Sequence, residues 1–188
     1  MLWSDPMIKT ISFDFDGVLS TLVLGRTWEK TRAKKRAVPL VTPAVRGLKH
    51  GLAALTEGFR KPLPGAEDAL RELRASGLTL FLLTSRTGER IAAAERWLEQ
   101  RGWSDVFDRK FYNEEGQDAD RFKTGIIRTH PIDVHVDDDP ETVACLSRQY
   151  PGKLFIRMDH YRRKGPQADN IVTVHAWEEV PALLAINR

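Results

Sequence analysis

The chain has 188 residues, of which 41% are hydrophobic and 29% are charged, and its formal net charge is +3. These values are typical of one soluble globular domain and exclude a low-complexity chain. The single cysteine, Cys145, excludes an intrachain disulfide and a cysteine-based metal cluster, which fits a reducing compartment.

No stretch of the sequence is typical of a membrane protein. The longest apolar run, residues 78–83, is far too short to cross a bilayer. The first residues also lack the basic and apolar regions of a secretory leader. We therefore expect a cytoplasmic protein without a membrane partner.

Short apolar segments alternate with amphipathic segments along most of the chain. This alternation predicts an α/β fold, with a parallel Rossmann-like sheet and helices on both of its faces. The predicted strands cover residues 8–14, 78–83, 106–112, 132–136, 154–158 and 171–174. The predicted helices cover residues 66–76, 88–100, 121–129, 141–150 and 177–186. Asp139 stands before Pro140, which favours Asp139 as the N-cap of a helix.

Residues 20–61 interrupt the alternation. We interpret them as a small helical cap inserted into an α/β core formed by residues 1–19 and 62–188. Helices are predicted within the cap at 28–37 and 44–59, joined by a hinge at 39–43. Trp28 could stack on a nucleotide base, or it could pack between cap and core.

Basic residues are concentrated in the same region. Residues 21–61 contain ten Lys or Arg and two acidic residues, a local charge of +8. Such a positive field favours an anionic partner, either a phosphorylated small molecule or a nucleic acid. The alternative is a solvated helical face, since Lys and Arg are good helix formers.

Two carboxylates stand at the end of the first predicted strand. Asp14 and Asp16 can lie on one side of the chain there, because side chains alternate along a strand. Ligands of parallel sheets bind at the carboxyl ends of strands, and Mg²⁺ prefers carboxylates together with phosphate oxygens. The residues therefore predict an Mg²⁺ site, with a simple capped turn at Gly17 as the alternative.

Other polar residues are expected at the same edge of the sheet. Thr84 and Ser85 follow the second strand, and Asp137 and Asp138 follow a later one. Lys123 stands near the start of a helix between them. The sequence has no glycine-rich phosphate loop, which disfavours a kinase or a dinucleotide-binding enzyme.

Four segments carry a family resemblance: DFDGVL at 14, LLTSR at 84, FKT at 123 and VHVDDDPET at 137. Together they resemble the haloacid dehalogenase superfamily of aspartate-nucleophile phosphatases, in that family's order. The resemblance covers essentially the whole chain apart from residues 20–61, which take the place of the family's first cap.

The resemblance implies a role for each of these residues. Asp14 would be the nucleophile, and Asp16 would act as general acid and then general base. Thr84, together with Ser85, would bind the phosphoryl group. Lys123 would balance its charge, with Lys110 as the competing candidate.

The implied metal site is formed by Asp14, the main-chain carbonyl of Asp16, Asp137 and Asp138, with Asp138 either a direct ligand or close by. Asp16 also needs a proton at neutral pH. It must therefore have a raised pKa, or it must bind its proton together with the substrate.

The remaining residues concern the substrate and the core. Arg86 is expected either on the surface or on the phosphate, and Arg162 is expected to contact the substrate from the basic loop at 159–170. His135 lies in an apolar strand and is interpreted as a core residue.

We expect an Mg²⁺-dependent phosphomonoesterase for a small phosphorylated metabolite. A weaker resemblance, to bacterial relatives of 5′(3′)-deoxyribonucleotidases, favours a nucleoside monophosphate. The alternatives are a phosphatase acting on polynucleotide ends, phosphoryl transfer to a second substrate, and a non-catalytic nucleic-acid-binding or anion-binding module. The sequence carries no indication of the oligomeric state.

Overall fold

A computed structural model describes residues 8–21 and 60–185 of the chain. The predicted cap helices at 28–37 and 44–59, and the hinge between them, lie outside the described residues. Within the described part, none of the helices is both long and apolar enough to cross a membrane.

The described residues form a six-stranded sheet in which all neighbouring strands are parallel. The strands are β1 (Thr10–Phe13), β2 (Thr79–Thr84), β3 (Arg109–Tyr112), β4 (Val134–Asp137), β5 (Leu154–Met158) and β6 (Ile171–Val174). The helices are α1 (Ala66–Ala75), α2 (Glu89–Glu99), α3 (Ala119–Thr129), α4 (Pro140–Gln149) and α5 (Glu179–Ala185). The strand order is β3-β2-β1-β4-β5-β6, so β1 lies between β2 and β4. This architecture confirms the predicted fold class.

Helices cover the sheet on both faces because the strand side chains alternate between two apolar clusters. On β2, Leu80 and Leu82 pack into one cluster, and Phe81 and Leu83 pack into the other. The first cluster also holds buried residues of α1, α2 and α5, and the second holds those of α3 and α4. A near-continuous apolar strand is the sequence signature of this two-sided burial.

Most element boundaries match the predictions within about two residues, which is the ordinary uncertainty of a helix or strand end. The largest difference is β3, which begins at Arg109 rather than at residue 106. The apolar side chain of Phe107 lies before the strand, where it packs against Phe13. On α2, Trp97 is buried, whereas Ile91 is only partly buried.

The described residues on either side of segment 22–59 lie next to each other. Thr21 N donates to Lys61 O at 2.9 Å, and Ser20 pairs with Pro62 in an antiparallel bridge. Leu63 N also donates to Leu19 O at 3.0 Å. The segment therefore leaves and re-enters the described core at one point, just beyond β1.

Candidate active site

The carboxyl ends of β1 and β4 bring the predicted acidic residues together. Asp14 follows β1, and its N–H donates to Val136 O of β4 at 2.9 Å. Asp137 is the last residue of β4, and Asp138 follows it. Asp14, Asp137 and Asp138 are all buried, and each can offer an oxygen within 4.8 Å of the others.

Lys123 reaches this group from α3. Its Nζ donates to Asp137 Oδ2 at 2.6 Å and lies 3.3 Å from Asp14 Oδ1. The competing candidate, Lys110, instead pairs with Glu95 at 2.7 Å on α2. The structure therefore places Lys123, and not Lys110, beside the predicted nucleophile.

The buried charges shift one another's pKa values. Burial raises the pKa of Asp14 to about 7, and the nearby Asp137 adds to this shift against the opposing effect of Lys123. Burial also raises the pKa of Asp138, with Asp137 and Asp14 as further causes. Burial alone would raise the pKa of Asp137, but Lys123 and His135 outweigh it and hold that pKa below its usual range. A bound cation would therefore stabilise the ionised forms of these three carboxyl groups.

The chemistry of this cluster fits a small, hard cation. Asp14 Oδ1 is shielded from solvent and accepts no hydrogen bond from the described residues, although Lys123 lies at ion-pair distance. Three carboxylate oxygens close together suit Mg²⁺ better than a soft metal, which would require sulfur or nitrogen ligands.

The backbone turn at Gly17, just after β1, lies in close contact with the side chain of Asp138. Gly17 has a φ angle of +77°, a conformation that favours glycine. A Cβ atom at this position would lie 2.3 Å from Asp138 Oδ2. The glycine predicted as a turn residue is therefore also required by the close approach of a candidate metal ligand.

Asp16 lies in a different environment from Asp14. Arg86 holds it through two parallel bonds, Nε to Oδ2 at 3.0 Å and Nη2 to Oδ1 at 2.8 Å. Arg90 Nη2 donates to Oδ2 at 3.2 Å, and Arg60 Nη1 donates to Oδ1. We call Arg60, Arg86 and Arg90 the arginine cluster.

The arginine cluster corrects one expectation. Burial alone would raise the pKa of Asp16, but Arg86, Arg60 and Arg90 outweigh it and hold that pKa well below its usual range. The predicted rise in pKa is wrong for this arrangement, because the three cations favour the ionised carboxylate. The other alternative, in which Asp16 takes its proton as the substrate binds, is compatible with the structure.

The residues at the end of β2 and just after it have different surroundings. Thr84 is buried as the last residue of β2, and Ser85 is half-buried behind it. Arg86 is only 1% exposed, and its guanidinium lies 4.1 Å from the ring centre of Phe15. The surface alternative for Arg86 is therefore wrong, and its side chain is directed at Asp16.

The structure does not bring Arg162 into the site. Arg162 is exposed, with a φ angle of +52°. Its neighbour Arg163 instead lines a cavity of about 120 Å³ whose lining includes Gly17, Asp138 and Tyr161. The basic loop after β5 was correctly predicted to lie near this edge, but the residue beside the site is Arg163.

His135 is a core residue, as predicted, but it is bonded to the site. Its Nδ1 lies 2.8 Å from Ser12 Oγ, and its Nε2 lies 3.2 Å from Asp137 Oδ2.

Asp139 is the N-cap of α4, also as predicted, and its side chain accepts from Glu141 N and Thr142 N. Arg60 and Arg90 were not predicted from the sequence. Arg90 lies only four residues beyond Arg86, whereas Arg60 reaches Asp16 from the far end of segment 22–59.

Comparison with known proteins supports the fold. No family model matches the chain. A Bacillus cereus protein named "Putative nucleotidase" is 25% identical over 119 residues, covering 63% of this chain and 58% of that protein. The chain thus spans little more than half the length of this relative.

Solved structures are similar over nearly the whole chain. A haloacid dehalogenase-like hydrolase from Streptococcus pneumoniae has a TM-score of 0.65 and 17% identity, covering 94% of this chain and 98% of the other. The Bacillus subtilis protein YfnB, named a "putative HAD-hydrolase" and solved bound to magnesium, has a TM-score of 0.60 and 14% identity, with coverage of 95% of this chain and 99% of the other. At these identities the likeness establishes the fold, which is the one that the four motifs predict.

Proposed function

Because the chain has the haloacid dehalogenase-like fold and carries the four motifs at one edge of its sheet, we propose that it is an Mg²⁺-dependent phosphomonoesterase. The proposed reaction passes through an aspartyl-phosphate intermediate. The observation that carries the proposal is the buried Lys123, whose Nζ lies 3.3 Å from Asp14 and 2.6 Å from Asp137. A buried cation between a candidate nucleophile and a candidate metal ligand is well placed to stabilise a transferring phosphoryl group.

In the first step, a carboxylate oxygen of Asp14 attacks phosphorus while the bond from phosphorus to the leaving oxygen breaks. Lys123 balances negative charge on the phosphoryl oxygens. Asp16, which takes up a proton as the substrate binds, gives that proton to the leaving oxygen.

In the second step, a water molecule loses a proton to Asp16 and attacks phosphorus. The bond to Asp14 breaks, and inorganic phosphate is released. Thr84, at the end of β2, is a candidate donor to the phosphoryl group.

Asp14, Asp137 and Asp138 are the side chains that would hold Mg²⁺, together with the main-chain carbonyl of Asp16. The ion would neutralise charge between the nucleophile and the incoming phosphate. Its positive charge would also keep Asp14 ionised, since burial raises the pKa of that carboxyl to about 7.

We further propose a small phosphorylated molecule as the substrate, with a nucleoside monophosphate as the first class to test. The name of the Bacillus cereus relative supports this choice. The cavity beside Asp138 is lined by Tyr161 and Arg163, which could contact a group attached to the phosphate. Residues 20–61 remain our predicted cap.

The test is phosphate release from mononucleotides, sugar phosphates and phosphorylated oligonucleotides, each with Mg²⁺ and with EDTA. Asp14→Asn should lower turnover at least a thousandfold, as expected for loss of the attacking group. The exposed Asp105→Asn is the matched control and should retain activity. Turnover that persists in EDTA or in Asp14→Asn would contradict the proposal.

The substrate preference in the same panel decides between the alternatives. Preference for phosphorylated oligonucleotides, with activity falling steeply as salt rises, would favour a phosphatase for polynucleotide ends. Absence of turnover together with Mg²⁺-independent binding of oligonucleotides would favour a non-catalytic module.

A further inference from the structure

The arginine cluster occupies every acceptor position of Asp16. An ionised carboxylate offers about four lone-pair positions, two on each oxygen. Oδ1 accepts from Arg60 and Arg86, and Oδ2 accepts from Arg86 and Arg90. In this arrangement no position of Asp16 is left for a leaving oxygen, so Asp16 can act on a substrate only after some of these bonds are exchanged.

The cluster is largely buried and is accessible at one end. Arg60 and Arg86 are 6% and 1% exposed, and the carbonyl of Arg60 accepts from Trp97 Nε1 at 3.0 Å. Arg90, by contrast, has a side chain that is 49% exposed, and the Asp16 side chain is 22% exposed. A solute can therefore approach the cluster through Arg90.

Two members of the arginine cluster approach Asp16 from the β2 side of β1, the side on which Thr84 also lies. Arg86 and Arg90 come from the chain that follows β2, on one side of β1. Lys123, Asp137 and Asp138 lie toward β4, on the other side of β1. A group bound by the arginines would thus lie across β1 from Lys123, next to the phosphoryl group.

From this arrangement we infer that the arginine cluster is a subsite for a second anionic group of the substrate, a carboxylate or a second phosphate. Asp16 occupies it as an internal ligand in the structure described. The planar fork of an arginine binds carboxylate and phosphate in the same paired geometry, so either anion can exchange with Asp16. The exchange frees the Asp16 carboxylate to reach the leaving oxygen.

This inference rests on the proposed function and narrows its substrate class. Among phosphomonoesters, those with a second anion close to the scissile phosphate are the preferred substrates. Matched pairs test this directly: 3-phosphoglycerate against glycerol 3-phosphate, and deoxyadenosine 3′,5′-bisphosphate against deoxyadenosine 5′-monophosphate. We expect kcat/KM to be at least tenfold higher for the member with the second anion in at least one pair.

Two variants on helix α2 distinguish binding at the subsite from a nonspecific effect of the protein's net charge. Arg90→Leu should bring the ratio of kcat/KM values within a pair toward one. Arg96→Leu removes the same charge from an exposed position of α2 and should leave the ratio unchanged. Equal kcat/KM within both pairs for the unmodified protein, or an equal loss of preference in both variants, would overturn the inference.

A binding measurement keeps this test separate from the test of catalysis. Phosphonoacetate and methylphosphonate are non-hydrolysable probes that differ by one carboxylate, and their dissociation constants can be measured by calorimetry with Mg²⁺ present. We expect phosphonoacetate to bind at least tenfold more tightly, and Arg90→Leu to remove that difference. If no phosphomonoester is hydrolysed but this Arg90-dependent difference remains, the proposed function fails and the subsite stands. If the two probes bind equally in the unmodified protein, the subsite is overturned.

Discussion

At the scale of single residues, Asp14 and Asp16 are close in sequence but opposite in electrostatics. Asp14 is buried beside two other carboxylates with one lysine, whereas Asp16 is surrounded by three arginines. Burial therefore dominates the pKa of Asp14, and the cations dominate the pKa of Asp16. This order of pKa values is opposite to the one that the proposed reaction needs, in which Asp14 attacks as a carboxylate and Asp16 carries a proton, so Mg²⁺ binding at Asp14 and substrate binding at Asp16 would have to reverse it.

Removal of Lys123 should be costly for stability. Lys123→Met leaves the carboxylates of Asp14 and Asp137 buried without their cation, and breaking a buried ion pair costs about 3–5 kcal/mol of unfolding free energy. Lys110→Met is the matched control, because Lys110 and Glu95 form a partly exposed pair worth at most about 1 kcal/mol. Urea unfolding at pH 8 in EDTA measures both. Equal losses in the two variants would contradict the structural placement of Lys123.

The stability of the cation-free protein should depend on Asp14 and on pH. Because folding raises the pKa of Asp14 from 3.8 to about 7, protonated Asp14 is favoured in the folded state at low pH. That contribution is lost as the pH rises toward 7, where the buried group ionises. In EDTA, Asp14→Asn should therefore gain melting temperature relative to the unmodified protein between pH 5 and pH 8.

Thermal unfolding at the two pH values, with EDTA or with Mg²⁺, checks this prediction. Mg²⁺ should reverse the difference at pH 8, since a bound ion stabilises the protein with the full set of ligands more than it stabilises the variant. The exposed Asp105→Asn should follow the unmodified protein at both pH values. A melting-temperature difference for Asp14→Asn that is the same at pH 5 and pH 8 would count against the buried ionisation.

At the scale of elements, the turn after β1 and the turn after β4 are fitted to each other. Residue Gly17 has a positive φ angle, and the carboxylate of Asp138 occupies the space that a Cβ atom would take. Further along this edge, Asp159 organises the loop after β5, accepting from Arg157 Nη2 and Arg163 N, each at 2.7 Å. Side chains at the carboxyl ends of three adjacent strands thus build one continuous edge.

A matched pair of glycines separates backbone strain from the collision with Asp138. Gly77 has a φ angle of +81°, and a Cβ atom added there meets open space. Gly77→Ala should therefore lower the free energy of unfolding by about 1–2 kcal/mol, through backbone strain alone. Gly17→Ala has a similar φ angle but meets the Asp138 carboxylate, so it should cost more and should also weaken Mg²⁺ binding at least tenfold. Chemical unfolding and Mg²⁺ titration provide the two measurements. Equal Mg²⁺ affinity in both variants would mean that Asp138 does not contribute to the cation site.

At the scale of the whole molecule, the candidate functional groups are arranged around the carboxyl end of β1. The acidic cluster lies on its β4 side, and two members of the arginine cluster come from its β2 side. The paired residues on either side of segment 22–59 lie just beyond the same strand. A parallel sheet brings these groups to one edge although they are far apart in sequence.

Because residues 19–21 pair with residues 61–63, we predict that the core folds without segment 22–59. We expect a variant in which Asn-Gly joins Thr21 to Arg60 to unfold cooperatively, with a melting temperature within a few degrees of that of the full chain, because a two-residue turn suits paired strands. Its hydrolysis of the preferred substrate should be strongly reduced if the segment is a cap. Circular dichroism during heating and phosphate release measure the two properties. Loss of a cooperative transition would mean that the segment belongs to the core.

The sequence by itself determined the alternation of strands and helices, and with it the fold class, since apolar runs and amphipathic segments reflect local burial. It also indicated Asp14, Thr84, Asp137 and Asp138, because residues that end parallel strands share one edge, and the family resemblance added Lys123. Only the tertiary structure decided that Lys123 rather than Lys110 contacts Asp14, and that Arg163 rather than Arg162 lines the cavity. It alone brought Arg60 to Asp16 across segment 22–59, where Arg86, Arg60 and Arg90 together hold the pKa of Asp16 below its usual range. From the sequence, a raised pKa and a proton bound together with the substrate were both open. The physical reason is that local periodicity records which face of an element is buried, whereas pKa values and side-chain partners depend on distances between residues that only the folded chain brings together.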